Sequence, residues 1–319
     1  MSGGTVFVEA AARLHFGVLD LRGARGRWFG GIGAAAPAPT LLVSATQAER
    51  LAVDGEDAER AEGFARAFCA HHGLRSGAYI SVHRALPAHA GLGSGTQLAL
   101  AVARALAELH GVSVDAAALS AAVRRGQRSA VGTWTFDGGG LVVEGGRRAD
   151  SDSLGPLIAR LPFPPWWRCI VATPRLAPAI SGEDEAEALA ALPPPPEREV
   201  EQVAHLVLMV LLPALADGDL ASFGGALTTI QTITGQWFAP VQGGAFAPGP
   251  SEELVRCMAE WGAAGVGQSS WGPAVYGIVD GDEASNRLAD RVRMAIDRCG
   301  GGAVYEGPFR TAGARVWRA

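Results

Sequence analysis

The chain has 319 residues with 27 basic and 32 acidic side chains, a formal net charge of −5, and every basic residue is an arginine. Its hydrophobic fraction of 48% and charged fraction of 18% are typical of a folded globular protein and exclude a disordered chain. The acidic balance without a basic run argues against a nucleic-acid partner, and the opening residues lack the features of a secretory signal. We therefore expect a cytoplasmic protein.

The first half of the chain mixes predicted strands and helices. Alternating or β-branched stretches predict strands, whereas apolar residues at helical spacing predict helices. GRWFGGIG (26–33), with glycines close together, is typical of a turn or of backbone that approaches another group closely. Strands are predicted at 5–21, 40–46, 79–87 and 141–144, and helices at 58–73, 98–109 and 115–125.

The second half begins after a boundary predicted near 147–166. A buried strand is expected at 168–174, and the acidic, proline-rich stretch 181–197 is expected to be a surface excursion. A long helix should follow. Its apolar run 203–216 is too short to span a bilayer, so we expect no membrane partner. The run indicates a buried helix or a subunit interface instead. Further predictions are a helix at 251–263, a glycine-rich turn leading into a strand within 265–279, a helix at 283–298 and a short closing strand. Without a strict strand–helix alternation, this order favours an α+β protein with two domains, at 1–160 and 161–319.

The four cysteines, Cys69, Cys169, Cys257 and Cys299, form no closely spaced pair. This spacing predicts isolated thiols instead of a zinc site or a disulfide framework.

The stretch PAHAGLGSGT (87–96) precedes a well-marked helix. Its glycines allow backbone N–H groups to turn inward, and the following helix N-terminus attracts anions. The loop is neither a Walker A sequence nor a dinucleotide fingerprint, and a chain without lysine cannot supply the lysine of the former. We expect it to bind phosphate through Gly91, Gly93, Ser94, Gly95 and Thr96.

This loop, together with the later turn GVGQSSWGP (265–273), resembles motifs 2 and 3 of the GHMP kinase superfamily, in order over most of the chain. The resemblance implies an N-terminal domain with a left-handed βαβ crossover, a ferredoxin-like C-terminal domain, and an active site in the cleft between them. The chain departs from the kinases, however. Gly132 stands where they carry the Asp that acts on the substrate hydroxyl, and arginines occupy the region of their acidic metal ligand.

Three stretches resemble one branch of that superfamily, the β-ribofuranosylaminobenzene 5′-phosphate synthases. They are ARLHFGVLDLRGARGRWFGGIG (12–33), RSAVGTWTFDGGGLVVEGG (128–146) and GQWFAPVQGG (235–244). The resemblance implies condensation of phosphoribosyl diphosphate with 4-hydroxybenzoate or 4-aminobenzoate in tetrahydromethanopterin biosynthesis. A C-riboside 5′-phosphate forms, and CO2 and diphosphate leave. In this interpretation the loop holds a diphosphate that is expelled.

The resemblance also implies roles for individual residues. Arg13 and His15 would be catalytic residues that grip the carboxylate or a phosphate. Mg2+ would accompany the diphosphate, and a homodimer is expected. The remaining candidates are, for phosphate, Arg128, Ser129, Thr133, Gln268, Ser269 and Ser270; for the aromatic acceptor, Gly30, Gly31, Gln236, Phe238 and Gln242; and for metal, Asp20 and Asp137.

Two alternatives remain open at the level of sequence. A small-molecule kinase of the same fold would consume ATP with an alcohol, and a non-catalytic member would bind ligand without forming product. Release of diphosphate would exclude both.

Overall fold

The protein is described by a computed structural model that covers residues 4–74, 77–151, 153–175 and 182–319, without the side chains of 182–186. Its strands are β1 (Val6–Asp20), β2 (Arg27–Ala48), β3 (Ala52–Gly55), β4 (Gly77–Arg84), β5 (Leu141–Glu144), β6 (Arg147–Arg148), β7 (Leu157–Leu161), β8 (Trp167–Pro174), β9 (Gly265–Gln268), β10 (Val275–Asp280), β11 (Gly302–Pro308) and β12 (Arg315–Arg318). Its helices are α1 (Ala58–His72), α2 (Ser94–His110), α3 (Ala116–Ala122), α4 (Val131–Gly138), α5 (Gly182–Ala191), α6 (Glu197–Leu206), a π-helical turn (Val207–Leu211), α7 (Leu212–Asp217), α8 (Leu220–Gln242), α9 (Pro250–Glu260) and α10 (Gly281–Arg298).

The first sheet is built around the long strands β1 and β2, in the order β12-β1-β2-β4-β3, with β5 and β6 also paired to β2 and β7 paired to β5. β1 and β2 are antiparallel, and their register places His15 opposite Gly33. β3 and β4 are parallel and are connected through α1, which makes a βαβ unit. Alternate residues of β1 are buried, as expected for a sheet covered on one face.

Helix α2 packs against this sheet at the centre of the N-terminal domain. Most of its residues from Gln97 to Ala107 are buried, and many of them are alanines. Small side chains let neighbouring elements approach the helix closely, and the burial of Leu98, Leu100 and Leu106 fixes its direction. The helix N-terminus is therefore held at one defined place in the fold.

The second sheet has the order β11-β8-β10-β9, and all its pairs are antiparallel. Strand β8, helix α8, strands β9 and β10, helix α10 and strand β11 have the βαββαβ order of a ferredoxin-like domain. Helices α5 to α7 with the π turn are inserted before α8, and α9 is inserted before β9. α10 and α9 bury Leu288, Val292 and Met258 in a separate core against this sheet. The α+β prediction with a ferredoxin-like second half is confirmed.

Of the two alternatives predicted for 26–33, the structure shows the second. The stretch is not a turn: together with 40–46 it forms one strand, β2, of 22 residues. Its backbone approaches neighbouring elements closely, since a Cβ at Gly33 would collide with the carbonyl oxygen of Leu14. Phe29 and Gly30 have positive φ values of 72° and 68°. Two helices were missed. No helix was predicted at 131–138, where α4 lies, or at 220–242, where α8 runs for 23 residues.

The segment from Glu197 to Asp217 continues as α6, the π turn and α7, and its mean hydropathy reaches 1.5. By length and composition it is sufficient to cross a membrane, so the expectation from the shorter apolar run 203–216 does not hold for the whole helix. Its first turn carries Glu197 and Glu199, and one side is buried in the protein core at Val203 and Leu211. These are features of a helix packed on a folded domain.

The stretch 181–197, predicted as a surface excursion, is described from residue 182 onward. It contains α5, and most of the described side chains up to residue 197 are exposed or half-buried. Pro195 is an exception: it is buried, and its carbonyl accepts a hydrogen bond of 2.7 Å from Nη1 of Arg22. The polyproline stretch is thus attached to the end of β1.

Candidate active site

One cavity of about 320 Å3 lies between the two domains. It is surrounded by β1, the start of β2, the first turn of α2, the loop 124–129, helix α8 and the turn after β9. The residues lining it that the sequence had suggested as site residues are Arg13, His15, Gly30, Thr96, Arg128, Ser129, Phe238, Gln242, Gln268 and Ser270.

The glycine loop places the α2 N-terminus beside this cavity. Gly91 and Gly93 have φ of 78° and 74°, a conformation that favours glycine. The carbonyl of Gly93 accepts hydrogen bonds from the amides of Thr96 and Gln97, at 3.1 and 3.0 Å. The sharp turn therefore exposes the beginning of the helix, where anions are stabilised.

Arg13, Gly91 and Ser269 join the two glycine-rich turns. Nη1 of Arg13 donates to the carbonyl of Gly91 at 2.5 Å, and the Ser269 hydroxyl donates to the same carbonyl at 2.7 Å. Ser269 is fully buried, and its Oγ accepts from the amide of His15 at 2.9 Å. Residues suggested by three separate motifs thus form one hydrogen-bonded group.

His15 contacts Ser129 across the cavity wall, with 3.1 Å between its Nε2 and the serine Oγ. Its side chain is largely buried, and burial, followed by the charge of Arg13, lowers the pKa of His15 to about 3. The imidazole is therefore neutral at physiological pH. Any contact of His15 with a carboxylate or phosphate would therefore be a hydrogen bond from a neutral imidazole and not an ion pair.

Glu144 was not singled out by the sequence, yet it organises this corner of the site. Its carboxylate is buried and accepts hydrogen bonds from the amides of Gly146, at 2.7 Å, and Ala130, at 3.3 Å. Burial raises the pKa of Glu144. Because Ala130 follows Ser129 directly, the glutamate fixes the loop that presents the serine to His15.

Aromatic side chains also line the cavity. Phe238 of α8 and Trp271 meet edge to face, with 5.0 Å between ring centroids. Nε2 of Gln268 donates to Oε1 of Gln242 at 2.8 Å, so these two amides hold the end of α8 against the second glycine turn. Phe29 is a third aromatic residue in the lining; its φ of 72° is unusual for a bulky residue and indicates a constrained position.

Arginines supply the polar wall. Arg124 and Arg125 line the cavity beside Arg128, and Arg60 of α1 lies next to the first turn of α2. The sequence had indicated the arginine-rich loop 124–128 but no role for Arg60, which is one of several charged residues on an amphipathic helix. Among the described residues, no Asp or Glu lines this cavity.

A second cavity of about 660 Å3 adjoins the first and shares Phe29 and Arg128 with it. Its walls include Trp28, Arg22 and Arg147. The guanidinium of Arg147 lies over the Phe29 ring, 5.9 Å from the ring centroid. The aromatic end of the first cavity therefore continues into a second one that is also aromatic and cationic.

Several expected site residues lie elsewhere. Gln236 is exposed on α8 and does not line the cavity. Gly31 is packed between Val131 and Glu144, and Thr133 is fully buried with its hydroxyl 3.1 Å from that of Ser120. Gly31 and Thr133 therefore pack behind the site, and none of the three residues lines its interior.

The two proposed metal ligands do not converge. Oδ1 of Asp20 accepts from the amide of Arg22 at 2.5 Å, whereas Asp137 pairs with Arg160 at 2.8 Å. Within the described part of the chain, no group of three His, Cys, Asp or Glu side chains is arranged to hold a metal ion. The described residues therefore do not fit a metal site built from protein carboxylates.

The chain matches two family models. The GHMP kinases N terminal domain model matches residues 59–137, and the GHMP kinases C terminal model matches residues 211–296.

Curated relatives and solved structures agree with this match. A protein named beta-ribofuranosylphenol 5′-phosphate synthase in Methanothermobacter thermautotrophicus is 35% identical over 298 residues, covering 86% of this chain and 89% of that protein. A protein of the same name in Archaeoglobus fulgidus is 36% identical over 286 residues, covering 86% of this chain and 87% of that protein. The crystal structure of homoserine kinase from Cytophaga hutchinsonii superimposes with a TM-score of 0.65 at 16% identity, covering 98% of this chain and 97% of that one.

Proposed function

Because the chain belongs to the β-ribofuranosylphenol 5′-phosphate synthase family of the GHMP kinase superfamily, we propose that it catalyses a decarboxylating phosphoribosyl transfer. It is an enzyme of the pentosyltransferase type. The donor would be phosphoribosyl diphosphate, and the products a C-riboside 5′-phosphate, CO2 and diphosphate. The pathway would be tetrahydromethanopterin biosynthesis in the cytoplasm.

The mixed lining of the cavity is the observation that carries this proposal. Thr96 in the first turn of α2 and the arginines of the loop 124–128 line it together with the aromatic rings of Phe238 and Trp271. A phosphorylated sugar fits the helix N-terminus and the arginines, and a planar aromatic acid fits the rings. We favour 4-hydroxybenzoate over 4-aminobenzoate as the acceptor, because the relatives are named for a phenol product.

The kinase alternative finds less support in the site. Gly132, which stands at the position of the kinase Asp, lies against the first turn of α2: a Cβ there would be 3.0 Å from Cγ2 of Thr96. A side chain at this position would require Thr96 to shift slightly, and glycine supplies no carboxylate. Phosphoryl transfer to an alcohol would therefore lack the residue that orients or deprotonates the hydroxyl.

The proposed reaction needs no nucleophile from the protein. The bond between C1 of the ribose and the diphosphate oxygen breaks, and its electron pair leaves with diphosphate. The acceptor ring carbon that carries the carboxylate forms the new bond to C1, and the electron pair of the C–CO2 bond then restores aromaticity. Catalysis rests on positioning and on stabilisation of the charge that develops on the leaving group.

Different residues would bind the two substrates. The arginines of the loop 124–128 and the α2 N-terminus would bind phosphate, while Phe238 and Trp271 would hold the acceptor ring in contact with C1 of the ribose. Neutral His15 and Ser129 would orient the substrate through hydrogen bonds. We propose that any Mg2+ would arrive with phosphoribosyl diphosphate, since the described residues offer no carboxylate site for it.

We also propose a homodimer, formed through the outer face of the π turn. Leu208 and Met209 are 59% and 64% exposed there, and exposed Trp166 lies beside Gly218 at the end of α7. The exposed residues of α6 itself, among them Glu201, Gln202 and His205, are polar and are not part of this face. Exposed large apolar side chains of this kind are typical of a surface that another copy covers.

The test is an assay of purified protein with Mg2+, phosphoribosyl diphosphate and carboxyl-labelled 4-hydroxybenzoate, in which released CO2 and diphosphate are counted together. We expect equal release of both, and much slower release with 4-aminobenzoate. Preference for 4-aminobenzoate would correct the acceptor, and ATP consumption with an alcohol in place of any release would refute the proposal.

Ser94→Asp provides the active-site control. An acid at the first position of α2 favours the helix but repels phosphate, so we expect a folded protein without turnover. Ala221→Asp is the matched variant, because it adds an acid to the exposed first turn of α8, two helical turns or more from the cavity-lining part of that helix. It should retain activity.

A further inference from the structure

Two arginines from different elements meet at Gly95 in the first turn of α2. A Cβ at Gly95 would lie 2.7 Å from Nη2 of Arg60, which comes from α1, and 3.4 Å from Nη2 of Arg125, which follows α3. The glycine is helical and does not need a positive φ. Its lack of a side chain is what gives both guanidinium groups access to the helix N-terminus.

The charges of this cluster are only partly balanced within the described residues. Asp57 pairs with Nη1 of Arg60 at 2.7 Å. The Arg125 guanidinium stacks on the Phe64 ring, 4.9 Å from the ring centroid, and its Nε is buried without a hydrogen-bond partner among the described residues. Burial and then the charges of Arg60 and Arg128 lower the pKa of Arg125.

Two guanidinium groups next to a helix N-terminus are unfavourable unless an anion is bound. The like charges of Arg60 and Arg125 repel one another, and the positive end of the α2 dipole adds to that repulsion. A polyanion at Gly95 would reverse the sign of each of these interactions and would provide acceptors for the buried donors.

We propose that Arg60 and Arg125, with the first turn of α2, bind the diphosphate group of the donor, and that the 5′-phosphate lies elsewhere in the cavity. This proposal rests on the proposed function. The diphosphate carries more charge than the 5′-phosphate, and the guanidinium groups of Arg60 and Arg125 with the positive end of α2 suit the larger charge better, since Asp57 offsets only one of them.

The diphosphate is also the group on which negative charge develops during the reaction. As the C1–O bond breaks, its electron pair moves onto the diphosphate, and nearby cations stabilise that change. Among the described residues, no metal ligands are available for this role. Arg60 and Arg125 would therefore stabilise the charge on the leaving diphosphate. Asp57 would act as a positioning residue, because it holds one nitrogen of Arg60 while the other points at Gly95.

The experiment measures binding of inorganic diphosphate and, separately, of ribose 5-phosphate by calorimetry on the full chain. Arg60→Gln and Arg125→Gln should each raise the dissociation constant of diphosphate about tenfold or more, the usual effect of losing a charge-assisted contact. The constant for ribose 5-phosphate should change less than about twofold. Arg66→Gln is the matched control: it lies on α1 too, is exposed, and pairs with Glu62 one turn away; it should change neither constant.

Gly95→Ala tests the same site without removing a charge. The nearest atom to the new Cβ is the end of a flexible side chain, so the protein should fold while Arg60 is displaced from the helix. We expect diphosphate to bind more weakly. Gly63→Ala in α1, where no atom lies within 4 Å of the new Cβ, should leave binding unchanged.

Three results would overturn the inference. Weaker binding of ribose 5-phosphate with unchanged diphosphate binding would assign the cluster to the 5′-phosphate. Unchanged binding of both ligands, or no diphosphate binding by the unaltered protein, would remove its phosphate role. The measurement involves no acceptor and no turnover, so a failure of the decarboxylating reaction in the assay above would be recognised separately.

Discussion

His15 shows how one buried side chain links the site to the stability of the fold. In the folded protein it remains unprotonated down to about pH 3, whereas in the unfolded chain it binds a proton below its ordinary pKa of 6.5. The unfolded state therefore gains protons first as the pH decreases. The contribution of His15 to the free energy of unfolding is present in full above pH 6.5 and is lost as the pH falls towards 3.

Replacement of this residue should remove that dependence. Between pH 7.5 and pH 5, the protein should lose about 2 kcal/mol more of its free energy of unfolding than His15→Gln does. Urea unfolding at the two pH values measures the difference. His71→Gln, at an exposed position of α1, is the control and should behave like the unaltered protein. Equal losses in the His15 variant and the unaltered protein would show that the imidazole is not held neutral.

At this scale, sequence motifs identified many of the residues that line the cavity but not their partners. Arg13, Gly91 and Ser269 were chosen from three motifs, and their mutual hydrogen bonds depend on how the two domains meet. Arg60 and Glu144 could not be identified, because an arginine on an amphipathic helix and a glutamate at a strand end are ordinary in sequence. Their significance comes from burial and from neighbours far away in the chain.

At the scale of elements, periodicity predicted the helices with a polar and an apolar face, such as α1 and α9, and missed α8. Helix α8 combines Thr and Ile residues with Gly224, Gly225 and Gly235, all of which have low helix propensity. Its glycines are explained by packing: a Cβ at Gly224 would collide with the backbone of Ala264 and one at Gly235 with that of Ala245. Tertiary contacts, which local sequence does not contain, thus decide this helix.

The glycine loop before α2 provides a test of the same kind of packing. Gly91 has a φ of 78°, and a Cβ on it would collide with the carbonyl oxygen of Ser269. Gly111, which ends α2, has a φ of 68° but no atom within 4 Å of a new Cβ. The two positions therefore share the backbone strain of about 1–2 kcal/mol and differ only in the collision.

We expect Gly91→Ala to lower the free energy of unfolding by at least about 1 kcal/mol more than Gly111→Ala does. It should also abolish turnover, because the loop would separate from the Ser269 turn. Denaturant unfolding and the decarboxylation assay measure the two effects. Similar losses of stability in both variants would mean that the loop is not docked on the second domain.

At the scale of the whole molecule, the C-terminal strand returns to the sheet that the N-terminal strand begins. Strand β12 returns from the second domain and pairs with β1, with Val6 opposite Arg318. The resemblance of the motifs implied two consecutive domains, but no short pattern in the last residues indicated that they would join the first sheet. The cavity therefore lies between domains that are connected at the middle of the chain and again at its C-terminus.

The exposed apolar face of the π turn bears on how two copies of the chain would assemble. If a second copy covers Leu208 and Met209, the carboxylate introduced by Leu208→Glu would be buried in the dimer without a partner. Burying it would cost more free energy than a dimer contact contributes. We expect sedimentation to show a dimer for the unaltered protein and a monomer for Leu208→Glu, with thermal stability of the subunit itself little changed. Met294→Glu is the matched control, because Met294 is 54% exposed on α10, outside the proposed interface, and the variant should remain dimeric. A monomeric unaltered protein, or a dimer that survives Leu208→Glu, would place the subunit contact elsewhere or refute it.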